Sequence, residues 1–228
     1  MRTALRAALF SACAAGPAAA ECSVALALAL DISSSVNARE YATQKDGLAA
    51  ALRHPKIAEV IERAPGPAQI LVYEWSGWQQ QDLIADWTRI ADQRDLNDLA
   101  ARIEAHERRY AEFSTALGEA LSFGALQFRR LPETCARQVI DVSGDGVNNE
   151  GPSAGDLRGD PILARVTVNG LVIKGAEPDP EAHYREEVIH GPGAFVMIAR
   201  NGFDDYPDLI LGKLLRELEP PLFIGAVE

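Results

Sequence analysis

Four features are scarce or missing in this chain, and the first three each exclude a class of function. It has four histidines, His54, His106, His183 and His190, scattered without ligand spacing. A His/Cys zinc site is therefore not expected, and all four read as surface or structural residues. After residue 20 no apolar run approaches the length of about 18 residues that a membrane helix needs. Basic residues are outnumbered, 22 Lys and Arg against 33 Asp and Glu, for a formal charge of −11. Phosphate-rich partners, nucleic acid and anionic lipid alike, would be repelled. Internal repeats and low-complexity linkers are also lacking. With 47% hydrophobic and 24% charged residues over 228 positions, the composition suits one well-packed domain.

The first twenty residues differ from the rest. Arg2 and Arg6 flank a short apolar run at 7–15, and Ala18, Ala19 and Ala20 supply small residues before Glu21. This is the outline of a secretory signal peptide, with the folded domain expected at 21–228 in the periplasm or outside the cell. Cys13 follows Phe10-Ser11-Ala12, a poor match for a lipid-attachment signal, which would carry Leu where Phe10 stands. Cleavage after Ala20 deletes Arg2 and Arg6 and no acid, so 20 basic residues face 33 acidic ones, a balance of −13. Cys22 and Cys135 remain, and an even count in an oxidising compartment suggests one disulfide.

Strand and helix patterns alternate along the remainder. An apolar run from residue 24 ends in Asp31, and its lack of alternation suits a strand buried on both faces. A helix is predicted over 38–53, N-capped by Asn37. Strands follow at 69–75 and, as an edge, 81–88; helices at 92–107 and 115–129; a strand at 138–143. Residues 145–160 read as a long Gly/Asn/Asp/Pro loop with room for a short helix after Ser153. Strands at 166–173 and, buried, at 194–199 precede a last helix at 204–218, whose core stripe includes Lys213. Such alternation implies right-handed crossovers and a largely parallel sheet with helices on both faces. Ligands of such sheets gather beyond the carboxyl ends of the strands. That directs attention to Asp31–Ser35, Ser76–Trp78 and Ser143–Asn149.

Asp31, Ser33 and Ser35 alternate directly after the first strand, so an extended turn can point all three inward. Thr115 stands at the head of a predicted helix, and Asp145 follows a later strand. Each offers a hard oxygen, the donor that Mg²⁺, Mn²⁺ or Ca²⁺ prefers. Two carboxylates and three neutral hydroxyls leave at least one coordination position open on an octahedral ion.

Asp31-x-Ser33-x-Ser35, then Thr115-x-x-x-x-Ala120-Leu121, then Asp145-Gly146 after an apolar strand resembles the metal-ion-dependent adhesion site of von Willebrand factor A domains. One departure is Gly144, since the family more often carries Thr-Asp-Gly. Asp141-Val-Ser-Gly-Asp-Gly146, Val168-Asn-Gly-Leu171 and Gly191-Pro-Gly-Ala-Phe195 are similar to an exported bacterial branch of unknown function within that superfamily. The resemblance implies a single-domain, doubly wound α/β fold with its metal at the strand ends. It implies a protein or peptide partner whose exposed Asp or Glu fills the open position; beside it, from their places in the sequence, Trp78, Asn148 and Asn149 are available as a rim. It also implies that the strands after Cys22 and Cys135 are parallel neighbours, which puts both cysteines at the end of the sheet remote from the metal.

Two enzymatic patterns compete. Gly144-Asp145-Gly146-Val147-Asn148-Asn149 also resembles the Gly-Asp-Gly-x-Asn-Asp motif of haloacid-dehalogenase-like phosphatases. Those enzymes place a second acid two residues after the nucleophile, where this chain has Ser33, and Asn149 replaces the final Asp. Gly151-Pro152-Ser153-Ala154-Gly155 matches the nucleophile-elbow pattern of serine hydrolases, but a loop sequence precedes it where the elbow needs a strand. Asp179 with His183 or His190 follows it, with nothing in the sequence to position them. The expected role is binding, not catalysis.

Overall fold

A computed structural model describes residues 21–220. The signal peptide expected at 1–20, with Cys13, lies outside the described residues. The first strand, β1 (Val24–Asp31), is buried at all eight positions. Its alternation is one of size: Ala25, Ala27 and Ala29 face one core, and Val24, Leu26, Leu28 and Leu30 face the other. Next come α1 (Ala38–Leu52), α2 (Pro55–Arg63), β2 (Ala68–Trp75), β3 (Gln81–Ile90), α3 (Gln93–Ala105) and α4 (Leu117–Gln127). The chain continues through β4 (Gln138–Gly144), β5 (Val166–Ile173), α5 (Pro180–His183), β6 (Val196–Ala199) and α6 (Tyr206–Leu218). The sheet is six-stranded in the order β3-β2-β1-β4-β5-β6. Only β3 is antiparallel to its neighbour.

Helices α1, α2, α3 and α6 cover the Leu/Val face, while α4 and the 155–163 turns cover the alanine face. The chain reverses its winding between β1 and β4, so the carboxyl ends of these two strands form the crevice where such sheets bind ligands. Among the described residues no helix is long and apolar enough to cross a membrane.

Four elements differ from the sequence reading. Helix α2 was not anticipated: Pro55 is the first residue of a new helix, capped by the His54 side chain. The segment 180–188 holds α5 and a π turn, Tyr184–Val188. Strand β6 covers only Val196–Ala199 and is half-buried, because it is the sheet edge. Thr115 precedes α4, whose N-cap is Ala116, instead of heading the helix.

Cys22 and Cys135 form a disulfide with Cα atoms 4.4 Å apart. They bridge the amino ends of β1 and β4, which pair in parallel from Ala25↔Gln138. The Leu/Val core also buries a charged cluster. Lys213 Nζ on α6 lies 2.6 Å from Asp141 Oδ1 on β4 and 2.7 Å from Glu217 Oε1. Asn169 donates to Glu217 at 2.8 Å. Burial, and then the Asp141 charge, push the Glu217 carboxyl up to about 8.

Candidate metal centre

The site begins with a turn. The amide of Ser33 donates to Asp31 Oδ1 at 2.7 Å, which folds the chain back immediately after β1. That turn brings the hydroxyls of Ser33 and Ser35 within 3.0 Å of each other. Ser35 Oγ donates to Asp145 Oδ1 at 2.7 Å, joining the end of β1 to the end of β4. Thr115 closes the group: a Cβ built on Gly146 would meet Thr115 Oγ1 at 3.3 Å. Residues 31, 33, 35, 115 and 145 therefore converge on one crevice although they span more than a hundred positions. Asp31 and Ser33 are wholly buried, Thr115 and Asp145 nearly so, and Ser35 is exposed.

Two carboxylates share this crevice with three hydroxyls. Burial, and secondarily the charge of Asp145, push the Asp31 carboxyl up to about 7. Asp145 is also raised, chiefly by burial. Asp31 Oδ2 is buried without a hydrogen-bond partner. An unpaired carboxylate oxygen beside a second carboxylate is a costly arrangement that a cation relieves. The donor set fits a hard divalent ion, and Asp31, Ser33, Ser35, Thr115 and Asp145 are the residues that would hold it. Among the described residues no group of three or more His, Cys, Asp or Glu side chains is arranged to hold a metal, so an ion here would depend on the hydroxyls as well as the two carboxylates.

The loop of residues 31–36 is fastened from behind by residues that no motif flagged. The Arg108 guanidinium donates to the carbonyls of Ile32 at 2.7 Å, Ser33 at 3.2 Å, Val36 at 2.8 Å and Tyr110 at 2.7 Å. Gln44 on α1 donates to the Asp31 carbonyl at 2.9 Å, and the Ser34 amide donates to the Phe113 carbonyl at 2.9 Å. Below that loop, buried Glu74 accepts from the Tyr41 hydroxyl and faces His106 Nε2 at 3.3 Å. Arg108 lies in an irregular stretch with no local pattern, so only the three-dimensional contacts reveal it.

The residues read as a rim occupy two settings. Asn149 Oδ1 accepts from the Thr115 amide at 2.8 Å, and its own amide donates to the Thr115 carbonyl at 2.9 Å. Asn148 Oδ1 accepts from the Gly118 amide at 3.1 Å, while the Asn148 amide donates to His183 Nε2 at 3.2 Å. Both side chains thus tie the loop after β4 to the start of α4. Trp78 is 56% exposed, and its amide donates to Glu150 Oε2 at 3.1 Å. Ser153, the elbow candidate, lies in a turn where its hydroxyl accepts from the Asp156 amide at 3.2 Å, and no strand leads into it.

A family model described as "Protein of unknown function (DUF1194)" matches residues 21–222. No curated protein matches the chain. Among solved structures, proximal thread matrix protein 1 from the mussel byssus, with a zinc-occupied MIDAS motif, aligns at TM-score 0.62 and 15% identity over 87% of this chain. A von Willebrand factor type A protein from Catenulispora acidiphila aligns at TM-score 0.60 and 16% identity, again over 87%. The PilB minor pilin from Streptococcus sanguinis aligns at TM-score 0.66 and 12% identity over 92%. The chain spans 46%, 43% and 64% of the lengths of these three, in that order. At these identities the likeness is one of fold, and the fold is that of von Willebrand A domains.

Proposed function

Because the chain belongs to the family described as protein of unknown function DUF1194 and has a von Willebrand A fold, we propose that it is an exported, metal-dependent module that binds a protein or peptide. The observation that carries this reading is the convergence of Asp31, Ser33, Ser35, Thr115 and Asp145 on a crevice with an unsatisfied carboxylate oxygen. A bound Mg²⁺, Mn²⁺ or Ca²⁺ supplies a positive charge with an open position for a partner's carboxylate. The mussel protein with a zinc-occupied MIDAS motif supports a divalent ion at such a site.

The chain's own residues do the rest. Asp31 and Asp145 set the site's charge, the hydroxyls complete the donor set, and Arg108 keeps the loop in shape. Catalysis would need a free base or nucleophile beside the ion. The motif segments carry no Lys or His, and the nearby His183 uses Nε2 to accept from Asn148. The acidic surface opposes an acidic partner only at separations within roughly a Debye length, about 8–10 Å at physiological salt.

Arrays of short peptides in matched Glu and Gln, or Asp and Asn, versions test this reading. Chelator-sensitive capture that favours the acidic member of each pair is expected. Capture that ignores both chelator and the acid-to-amide change contradicts it, as does metal-dependent turnover of phosphomonoesters or esters that disappears in Asp31→Ala.

A further inference from the structure

Gly144 ends β4 directly before Asp145, and other side chains fill the space beside it. A Cβ built there would lie 2.6 Å from Tyr184 Oη, 2.8 Å from Asp31 Oδ2 and 3.2 Å from Trp75 Cζ2. Sheet register explains the meeting. Asp31 pairs with Trp75, and Leu30 with Ser143, so 31, 75 and 144 end three adjacent strands on the alanine face. Tyr184 enters from the π turn after α5 and is wholly buried. Tyr184 Oη, Trp75 Nε1 and Asp31 Oδ2 are each buried without a hydrogen-bond partner.

A hydroxyl and an indole N–H are donors, and a carboxylate oxygen is an acceptor. The three make no direct hydrogen bond to one another, and burying them apart is unfavourable unless one water bridges them. A phenylalanine at 184 would fill the same core without that penalty, so the hydroxyl needs a reason. The Thr-Asp-Gly pattern places a hydroxyl on the strand at the position of Gly144. Here a hydroxyl reaches the same volume from a different element.

We propose that Tyr184 is a positioning residue of the metal centre, its hydroxyl standing in for a strand-borne hydroxyl at 144 and acting, with the Trp75 indole and through one water, on the buried Oδ2 of Asp31. This rests on the reading that Asp31 serves a metal. Tyr184 does not touch the ion. It orients the carboxylate that does, and Gly144 is glycine because any side chain would displace both partners.

Mn²⁺ calorimetry on the full domain tests this with Tyr184→Phe, Gly144→Ser and the double variant, alongside Asp31→Ala. Tyr184→Phe should weaken Mn²⁺ binding by about 10–100-fold. Its metal-free unfolding temperature should stay near that of the wild type, since the hydroxyl makes no direct hydrogen bond within the protein. Gly144→Ser should also bind weakly, through overlap with Tyr184 and Asp31. The double variant removes the Tyr184 overlap while keeping a hydroxyl beside Asp31, and should bind more tightly than Gly144→Ser. A wild-type tyrosine difference spectrum on adding Mn²⁺, absent in Tyr184→Phe, is also expected. Undiminished binding in Tyr184→Phe while Asp31→Ala binds none would overturn the role of Tyr184 and leave the metal site standing. A double variant no better than the worse single would overturn the hydroxyl replacement. Undiminished binding in Asp31→Ala would bring down the metal reading itself.

Discussion

Arg108 holds four carbonyls with one guanidinium, three of them in the loop that carries Ser33 and Ser35. A lysine cannot do this, because a point charge lacks the planar fork. Arg108→Lys and Arg108→Ala should both lower Mg²⁺ affinity, by about tenfold or more, in a titration calorimeter. Recovery of full affinity by Lys would show that charge, not shape, is what Arg108 contributes. At this scale the legible residues were those whose spacing is itself the signal. Asp31, Ser33 and Ser35 are fixed by one turn, and Asp145 by the strand end before it. Arg108, Gln44 and Trp75 act across the fold, and nothing in their neighbours marks them. Tyr184 left one visible trace, the glycine at 144 where the pattern carries threonine.

Helix α6 shows what an apolar stripe conceals. Lys213 lies on its buried face among Tyr206, Ile210 and Leu214, and the sequence alone offers only Glu217, four residues on, as a partner for it. Its partners are Glu217 one turn on and Asp141 on β4. Removing the cation leaves two buried carboxylates, so Lys213→Met should destabilise by about 3–5 kcal/mol in urea unfolding. The same cluster sets a pH dependence. Glu217 titrates near 8 when folded, against an ordinary value of 4.5, so the folded state keeps a proton that the unfolded chain releases. Its contribution is fully present below 4.5 and is lost as pH rises through about 8, with a slope of at most about 1.4 kcal/mol per pH unit. Asp31, raised to about 7, acts in the same direction, so the measurement belongs in an Asp31→Asn background. There the urea midpoint should fall between mildly acidic and mildly alkaline pH, and Glu217→Gln should flatten the fall. A midpoint that rises over that range would contradict the assignment. Among elements, the long periodic ones were readable, whereas α2 and β6 were misjudged because proline and edge position have two meanings each.

The whole molecule separates stability from function along the strands. The disulfide closes the amino end of the sheet and the candidate metal crevice opens at its carboxyl end, roughly 30 Å away from Cys22 to Asp31 at about 3.3 Å per residue. Closing a loop with a sequence separation of 113 contributes about 4–5 kcal/mol. Cys22→Ser with Cys135→Ser should lose about that much stability while keeping the wild-type metal affinity. A large loss of metal affinity in that variant would show that the two ends are coupled. The alternation of strands and helices made the doubly wound architecture readable, since few topologies accommodate it. The most direct test of the metal centre is a Mg²⁺ titration of wild type, Asp31→Ala and Asp145→Ala, followed by calorimetry and thermal unfolding. One ion per chain is expected for the wild type, with an unfolding temperature that rises with Mg²⁺ as binding stabilises the native state. Both variants should stay folded, bind no Mg²⁺ and show no such rise. Equal affinity in all three proteins would contradict the assignment of this crevice as a metal site.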